Sequence, residues 1–339
     1  MQDKATVSIV GARGYSGLEL AKLLLRHPAA HLTHAFATKD FRLSDDLWDS
    51  SAVNIKCLAD DQLESNLTDV VFLATPAEVS LRLAPKILKA GKKVVDLSGA
   101  FRLKSSDIKA WYGFANTEPA LLSEAEYGLA PFCGPSKSHS RLIANPGCYA
   151  SAVSLALIPL LKHDLIDANH IAIDAKSGTT GAGRKASENL LFSEVDGDCL
   201  PYRVGQHQHF PEIQETVAKF SGAQIDPHFV TNLLPCKRGI IATIMATSKT
   251  SDVSNIEKAF NTEYAQYPLV RHGQNVTQLA KLSGVVGTPF THISYKLTEN
   301  KLYVFSAIDN LLKGAASQAV ENFNRLLDLP LTFSLTKEG

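Results

Sequence analysis

The stretch Ala5-Thr6-Val7-Ser8-Ile9-Val10-Gly11-Ala12-Arg13-Gly14-Tyr15-Ser16-Gly17 decides the reading of the fold. Its first six residues are apolar and β-branched and stop at a glycine, which is how a short buried strand ends. From Gly17 to Arg26 apolar residues recur at helical spacing, Leu20 with Leu24 and Ala21 with Leu25, and the pattern closes at His27-Pro28. A glycine-rich turn between strand and helix lets the backbone approach a pyrophosphate, and the helix start offers unpaired N–H groups and a partial positive charge. The spacing is GxxGxxG instead of the commoner GxGxxG, so position, not pattern, separates it from a turn that merely connects two elements. Gly11, Gly14, Tyr15, Ser16 and Gly17 are the expected dinucleotide contacts.

Working outward, a strand fits His31 to Phe36, and the run Asp69–Ala74 leads into Pro76 and a helix-like stretch to Lys89. Gly91 breaks that pattern and Lys93–Leu97 reads as a further strand. Strands alternating with helices at this spacing predict a parallel, right-handed βαβ sheet, an α/β domain of Rossmann type. At the end of the second strand stand Thr38 and Lys39, with no carboxylate before Asp40. An acid there would grip a ribose 2′-hydroxyl, whereas a hydroxyl and an ammonium suit a 2′-phosphate, so NADP is expected over NAD. The bland alternative for Lys39 is a solvated surface lysine.

The second half has another character. An apolar helix pattern spans Cys148–Lys162, followed by strand candidates at Ile171–Lys176, His228–Leu234 and Ile240–Thr247. A helix near Ser254–Tyr264 and strands near His292–Leu297 and Leu302–Ala307 follow. Neighbouring strands with helices kept apart predict a mainly antiparallel α+β domain. The last helix pattern, about Leu311–Leu327, is expected to return to the first domain. The expected division is therefore 1–147 with about 311–339, and 148–310.

With 339 residues the chain has room for about two domains. Its 34 basic and 34 acidic residues cancel, and 45% hydrophobic content supports a large core. The zero balance argues against a nucleic-acid partner, and the lack of an apolar run of about 18 residues argues against a membrane span. The chain enters a strand pattern within a few residues, leaving no room for a signal peptide, so the cytoplasm is the expected compartment. Five cysteines without a CxxC pair offer neither a zinc ribbon nor a dithiol centre, and each reads by default as a small buried side chain.

Cys148 is the exception. In Asn145-Pro146-Gly147-Cys148-Tyr149 a forced turn delivers the thiol to the first turn of the apolar helix. The dipole and open N–H groups there stabilise a thiolate, the nucleophilic form. Its proton partner is sought in His207-Gln208-His209, one histidine as general acid/base and the other orienting substrate or ring, the bland alternative being two polar residues ahead of a helix begun by Pro211-Glu212. A metal reading of the pair needs a third ligand that the neighbourhood does not supply, so no metal is expected. Ser177-Gly178-Thr179-Thr180-Gly181-Ala182-Gly183-Arg184-Lys185 combines flexible backbone, hydroxyls and two cations suited to an oxyanion or a reactive carbonyl, or is simply a mobile loop. Arg102 ends the fourth strand's segment Asp96–Arg102, where ligands gather, and is a candidate phosphate or carboxylate clamp or else a surface ion pair. Arg238 and the Asp309–Gly314 segment are weaker cases of the same kind.

Taken together, VGARGYSGLEL, LATPAEVS, VDLSGAFRL, YGLAPF, NPGCYAS, SGTTGAGR, GQHQHFPEI, LLPCKRGIIATI and DNLLKGAA resemble the N-acetyl-gamma-glutamyl-phosphate reductases of the aspartate-semialdehyde dehydrogenase-like superfamily. They recur in the family's order along nearly the whole chain; one departure is Gln208, where the family usually has arginine between the two histidines. The resemblance implies NADPH-dependent reduction of N-acetyl-glutamyl 5-phosphate to N-acetyl-glutamate 5-semialdehyde with release of phosphate, in arginine biosynthesis. It places the nucleophile at Cys148 and a catalytic histidine in the HQH segment, assigned to His207, with His209 on the substrate. It adds Thr75, Pro76, Ser98 and Asn310 to the cofactor contacts. Arg102, Ser177, Gly178, Arg184, His209 and Arg238 are the candidates for holding the small-molecule substrate, and a homodimer or homotetramer is expected. The competing readings are a sister reductase such as aspartate-semialdehyde dehydrogenase, with unchanged cysteine chemistry, and a non-catalytic NADP-sensing Rossmann protein.

Overall fold

The computed structural model describes residues 4–104, 107–134 and 140–336. The chain divides into two units, Met1–Pro146 with Ala315–Gly339, and Gly147–Gly314.

The first unit carries strands β1 (Ala5–Val10), β2 (Ala30–Phe36), β3 (Lys56–Leu58), β4 (Val70–Leu73), β5 (Lys93–Asp96), β6 (Glu126–Tyr127) and β7 (Leu142–Ala144). They form one sheet in the order β3-β2-β1-β4-β5-β7-β6, with each neighbouring pair parallel. This is the doubly wound α/β architecture that alternating strands and helices predict. Of the helices, α1 spans Tyr15–Arg26 and α2 spans Ala77–Lys89. Every residue of β4 is buried, and Leu81, Leu83, Ala84 and Ile87 of α2 join the core that includes Val71 and Leu73. Burial of each such leucine or isoleucine contributes about 1.5–3 kcal/mol. Strands β3, β6 and β7 are only two or three residues long, too short for a period-2 pattern to announce them.

Parallel pairing has one consequence for function. It sends the carboxyl ends of β1, β2, β4 and β5 to a single edge, so the turns beginning at Gly11, Ala37, Ala74 and Leu97 open on the same side of the sheet. The helix Ser317–Leu326 belongs to this unit and is buried on all sides, polar residues included. Several of those polar groups are partnered: the Gln318 and Asn322 amides both donate to the Gly128 carbonyl, and Asn324 donates to the carbonyls of Leu331 and Phe333. The pattern read as one helix from Leu311 opens instead with a π-helical turn, Leu312–Ala316.

The second unit holds α3 (Cys148–Lys162), α4 (His209–Ser221) and α5 (Val253–Tyr264), together with β8 (Ile166–Ser177), β9 (Leu200–Pro201), β10 (His228–Leu233), β11 (Ile240–Ser248), β12 (Val270–Gly273), β13 (Thr291–Thr298) and β14 (Lys301–Ile308). Its sheet runs β12-β13-β14-β11-β8-β10-β9 and is mixed: β10 lies parallel to β8 and β12 parallel to β13, the other pairs being antiparallel. Although β10 and β11 are consecutive, β8 lies between them. Their connection crosses the end of β8 and is stitched to it, with Gly178 N–H donating to Gly239 O and Thr179 N–H to Cys236 O, each at 2.9 Å.

Tyr149 through Leu161 of α3 are all buried, as expected of a helix apolar on every face. Pro159 within it cannot donate to the Leu155 carbonyl, and the Tyr264 hydroxyl of α5 donates to that oxygen instead. Among the described residues no helix is long and apolar enough to cross a membrane.

Candidate active site

In the first unit, the glycines of the opening turn are required by close packing. Gly11 has φ +82°, and a Cβ there would stand 2.3 Å from the Ala74 carbonyl oxygen; a Cβ on Gly17 would stand 2.4 Å from Gly11 O. Gly14 caps α1 with no side chain, which leaves the first-turn N–H groups beside Tyr15 and Ser16 uncapped. These residues fit a pyrophosphate, whose charge such a helix start favours. Thr38 and Lys39 are exposed just past β2. Thr75, followed by Pro76 at the α2 N-cap, bonds through its hydroxyl to Ser80 at 3.0 Å. Ser80 and Ser98 then donate to opposite oxygens of the fully buried Asp96, at 2.7 and 2.8 Å. Burial pushes the Asp96 carboxyl up, against the pull of these hydroxyls and of Arg102. Asp96 thus ties the turns after β4 and β5 together, a role the sequence pattern did not reveal.

Arg102 is neither exposed nor a surface ion pair. Its Nε donates to the Asn145 carbonyl at 2.8 Å and one terminal nitrogen to the Leu97 carbonyl at 2.7 Å.

In the second unit Cys148 opens α3, half-buried, behind an N-cap Gly147 that brings no side chain. Three contacts surround this turn. The Gly147 N–H donates at 2.7 Å to Oε1 of Glu212, a fully buried carboxylate on α4. A Cβ on Gly314, in the π-helical turn, would lie 2.6 Å from the Cys148 Cβ, so the Cys148 side chain needs a glycine opposite it. Tyr149 packs edge-on against His207 at 5.1 Å and also meets His209 at 5.7 Å. The structure therefore brings His207 and His209 together against Tyr149, the residue that follows Cys148.

The two histidines sit in different surroundings. His207 is enclosed by the rings of Tyr149, Tyr202 and Phe229, and its Nδ1 accepts the His209 backbone N–H at 3.2 Å. That bond leaves Nε2 as the protonated nitrogen of a neutral ring. Burial first, then the charges of His209 and Arg203, push its pKa down to about 2. His209 begins α4, and its Nε2 lies 3.8 Å from Glu212 Oε2, a counter-charge that attracts an imidazolium. Tyr149 and Tyr202 share a hydroxyl–hydroxyl bond of 2.9 Å, and Ser177 hydrogen-bonds the Tyr149 phenol. Burial pushes both phenols up, Tyr202 to about 12, so both stay neutral donors.

The remaining candidates form a second cluster in the same unit. Gly178 admits no Cβ, which would meet Arg238 N at 2.7 Å. Thr180 donates to Lys237 O at 2.7 Å, so the turn after β8 is stapled rather than loose up to that point, while Arg184 beyond it is exposed. Asn310 accepts from Gly239 N–H at 2.8 Å and donates to Thr180 at 3.1 Å. Arg238 pairs with the buried Asp309 at 2.8 Å, an internal ion pair. Among the described residues there is no group of three or more histidine, cysteine or acidic side chains placed to hold a metal.

The site can now be set beside known proteins. An N-acetyl-gamma-glutamyl-phosphate reductase of Streptococcus thermophilus is 41% identical over 325 residues, covering 94% of each chain. This chain belongs to the N-acetyl-gamma-glutamyl-phosphate reductase family. A reductase of the same name from Geobacillus stearothermophilus is 40% identical over 328 residues, covering 95% of each. The sequence model of the semialdehyde dehydrogenase NAD binding domain matches residues 6–133, and that of the semialdehyde dehydrogenase dimerisation domain matches 148–310. Aspartate semialdehyde dehydrogenase II of Vibrio cholerae shares the fold, with TM-score 0.73 and 15% identity over 96% of this chain and 99% of its own. Two further sequence signals in this reductase family member bear on the site: Glu212, three residues after His209, and Gly314 of DNLLKGAA. Helical spacing puts residues i and i+3 on one face, which is the clue to the first.

Proposed function

We propose that this chain reduces N-acetyl-glutamyl 5-phosphate to N-acetyl-glutamate 5-semialdehyde, releasing phosphate, through a thioester on Cys148. The observation that carries the reading is the position of Cys148: a cysteine at the uncapped first turn of a core helix, whose next residue, Tyr149, packs against two histidines of which one stands beside a buried carboxyl group. The relatives' shared name supplies the substrate, and it favours this reading over an aspartyl substrate or a non-catalytic sensor.

The steps follow from the residues. His209 takes the Cys148 proton, and the sulfur attacks the acyl carbon of the acyl phosphate. The carbon–oxygen bond to phosphate breaks with its electron pair, and His209 returns the proton to the departing phosphate oxygen. First-turn N–H groups of α3 hold the oxyanion of the tetrahedral intermediate. Held by the residues of 1–147 named below, NADPH would supply the hydride for reduction of the thioester carbon. The resulting oxyanion reforms its carbonyl as the carbon–sulfur bond breaks, which frees the aldehyde and regenerates the Cys148 thiolate.

In this scheme His209 carries the proton, a role sequence reading assigns to His207. A ring whose Nδ1 is occupied by a backbone N–H and whose burial disfavours charge suits a neutral donor better than a base. Residues of 1–147 hold the dinucleotide: Gly11, Gly14, Tyr15, Ser16 and Gly17 at the pyrophosphate, and Thr38 with Lys39 at a 2′-phosphate, which makes NADP the cofactor. Residues 148–310 catalyse and, as the matching dimerisation model suggests, pair in a homodimer or homotetramer. Arg184, exposed beyond the stapled turn, is the cation we assign to substrate phosphate.

Mass spectrometry after mixing the enzyme with acyl phosphate in the absence of NADPH tests the reading. An acyl adduct on Cys148, absent from Cys148→Ser, is expected; turnover surviving in Cys148→Ser refutes the covalent route.

A further inference from the structure

We propose that a cavity at the amino-terminal end of β2, within the first unit, is a binding site for a small organic dianion, a dicarboxylate or a phosphate monoester. It takes no part in the thioester route and stands apart from it. The cavity measures about 520 Å³, a size that suits a small metabolite. Its walls are Lys4 ahead of β1, Leu24 and Leu25 in the last turn of α1, the first half of β2, and the segment that enters β3.

Charge is the feature that points to a ligand. Lys4, His31, His34 and Lys56 line the cavity, and among the described residues that line it none is acidic. That is a local excess in a chain whose 34 basic and 34 acidic residues cancel. The parallel register sets His34 opposite Lys56, so two basic side chains are neighbours on one face of the sheet. After burial, the Lys56 charge is what pushes the His34 imidazole down, a mark of a positive field that nothing nearby cancels. Among the described residues no carboxylate pairs with Lys4 or Lys56. The hydroxyls beside them are engaged elsewhere, Ser51 donating to Asp49 at 2.7 Å and Thr33 sharing a bond of 2.8 Å with His34 Nδ1. Two ammonium groups are left to meet a ligand from solution, and as point charges they favour an anion of charge two.

The rest of the lining makes that anion an organic one. Leu24, Ala30 and Leu32 are buried and give the cavity apolar surface beside its cations. A carbon body covering that surface adds affinity that a bare ion cannot gain. The site is also distinct from the dinucleotide turn. The seven residues of β2, rising about 3.3 Å each, put its two ends about 20 Å apart, and Thr38 and Lys39 follow the far end.

Calorimetric titration of the full-length enzyme saturated with NADPH tests the site, with phenyl phosphate, isophthalate and inorganic phosphate as probes. At least one organic probe should bind with a dissociation constant below about 1 mM, and inorganic phosphate at least about fivefold more weakly. The stronger of the two organic probes assigns the ester or the dicarboxylate. Replacing both cations, Lys4→Gln with Lys56→Gln, should weaken that probe at least about tenfold while kcat and KM stay within about twofold. Saturating probe should raise the melting temperature of the parent and not that of the double variant. The proposal is overturned if neither organic probe binds the parent at about 10 mM, or if the double variant binds as the parent does, which would place the probe in the reaction's own phosphate pocket. Inorganic phosphate binding as tightly as phenyl phosphate would equally overturn it, because the apolar surface would then contribute nothing.

Discussion

The neutral state of His207 has a measurable thermodynamic consequence. In the unfolded chain its imidazole titrates near 6.5, whereas in the fold burial against Tyr149, Tyr202 and Phe229 and the neighbouring positive charges push it to about 2. Between those values only the unfolded chain takes up the proton, so this histidine's contribution to stability is complete above pH 6.5 and falls away as the pH drops. At pH 5 the loss is about 2 kcal/mol, reckoned at about 1.4 kcal/mol for each unit below 6.5. Denaturant unfolding at pH 8 and pH 5 on the parent and on His207→Asn reads this one side chain. His27, His34, His272 and His292 are also pushed down by burial, but their effect is common to both proteins and cancels. The asparagine variant, which cannot titrate, should lose about 2 kcal/mol less than the parent over that interval. An identical loss in both would mean that the imidazole titrates normally. The assignment of His207 as a neutral donor, and with it the transfer of the proton role to His209, would then fall.

Gly314→Ala puts a methyl group 2.6 Å from the Cys148 Cβ, so the nucleophile must move; steady-state assays should show kcat lower by about 10- to 100-fold with NADPH affinity preserved, and an unchanged kcat would show that the π-helical turn yields instead. Lys39→Ala should raise the dissociation constant for NADP about tenfold and leave that for NAD within about twofold, read by fluorescence titration; equal losses would assign the 2′-phosphate to another residue.

How much of this was legible beforehand depends on the range over which each feature is encoded. The parallel sheet was legible because β1, α1, β4, α2 and β5 each announce themselves by local periodicity, and a parallel crossover leaves little choice of hand. The helix of Cys148 was legible to its first residue, since Pro146 and Gly147 stop whatever precedes it and thirteen buried residues follow. The place of β8 between β10 and β11 was not. It is set by backbone bonds between the turn at Gly178 and the connection at Cys236–Gly239, which leave only a glycine and a short loop in the sequence.

The site divides along the same line. Residue type and helix position single out Cys148 and the two histidines, but the difference between those histidines comes from partners distant in sequence. Three aromatic rings from three segments and one backbone amide make His207 neutral, and the side chain of Glu212, one helical turn along, stands 3.8 Å from His209. An HxH spacing is symmetric in sequence and cannot say which member is desolvated. The asymmetry arises only when α3 and α4 pack, because the buried Glu212 side chain then has both the Gly147 amide and His209 within reach. The desolvation of His207 within that packing is the feature that sets the two histidines apart. Any relative that keeps HxH but loses this carboxylate should have to supply a counter-charge from elsewhere to keep an imidazolium beside its cysteine.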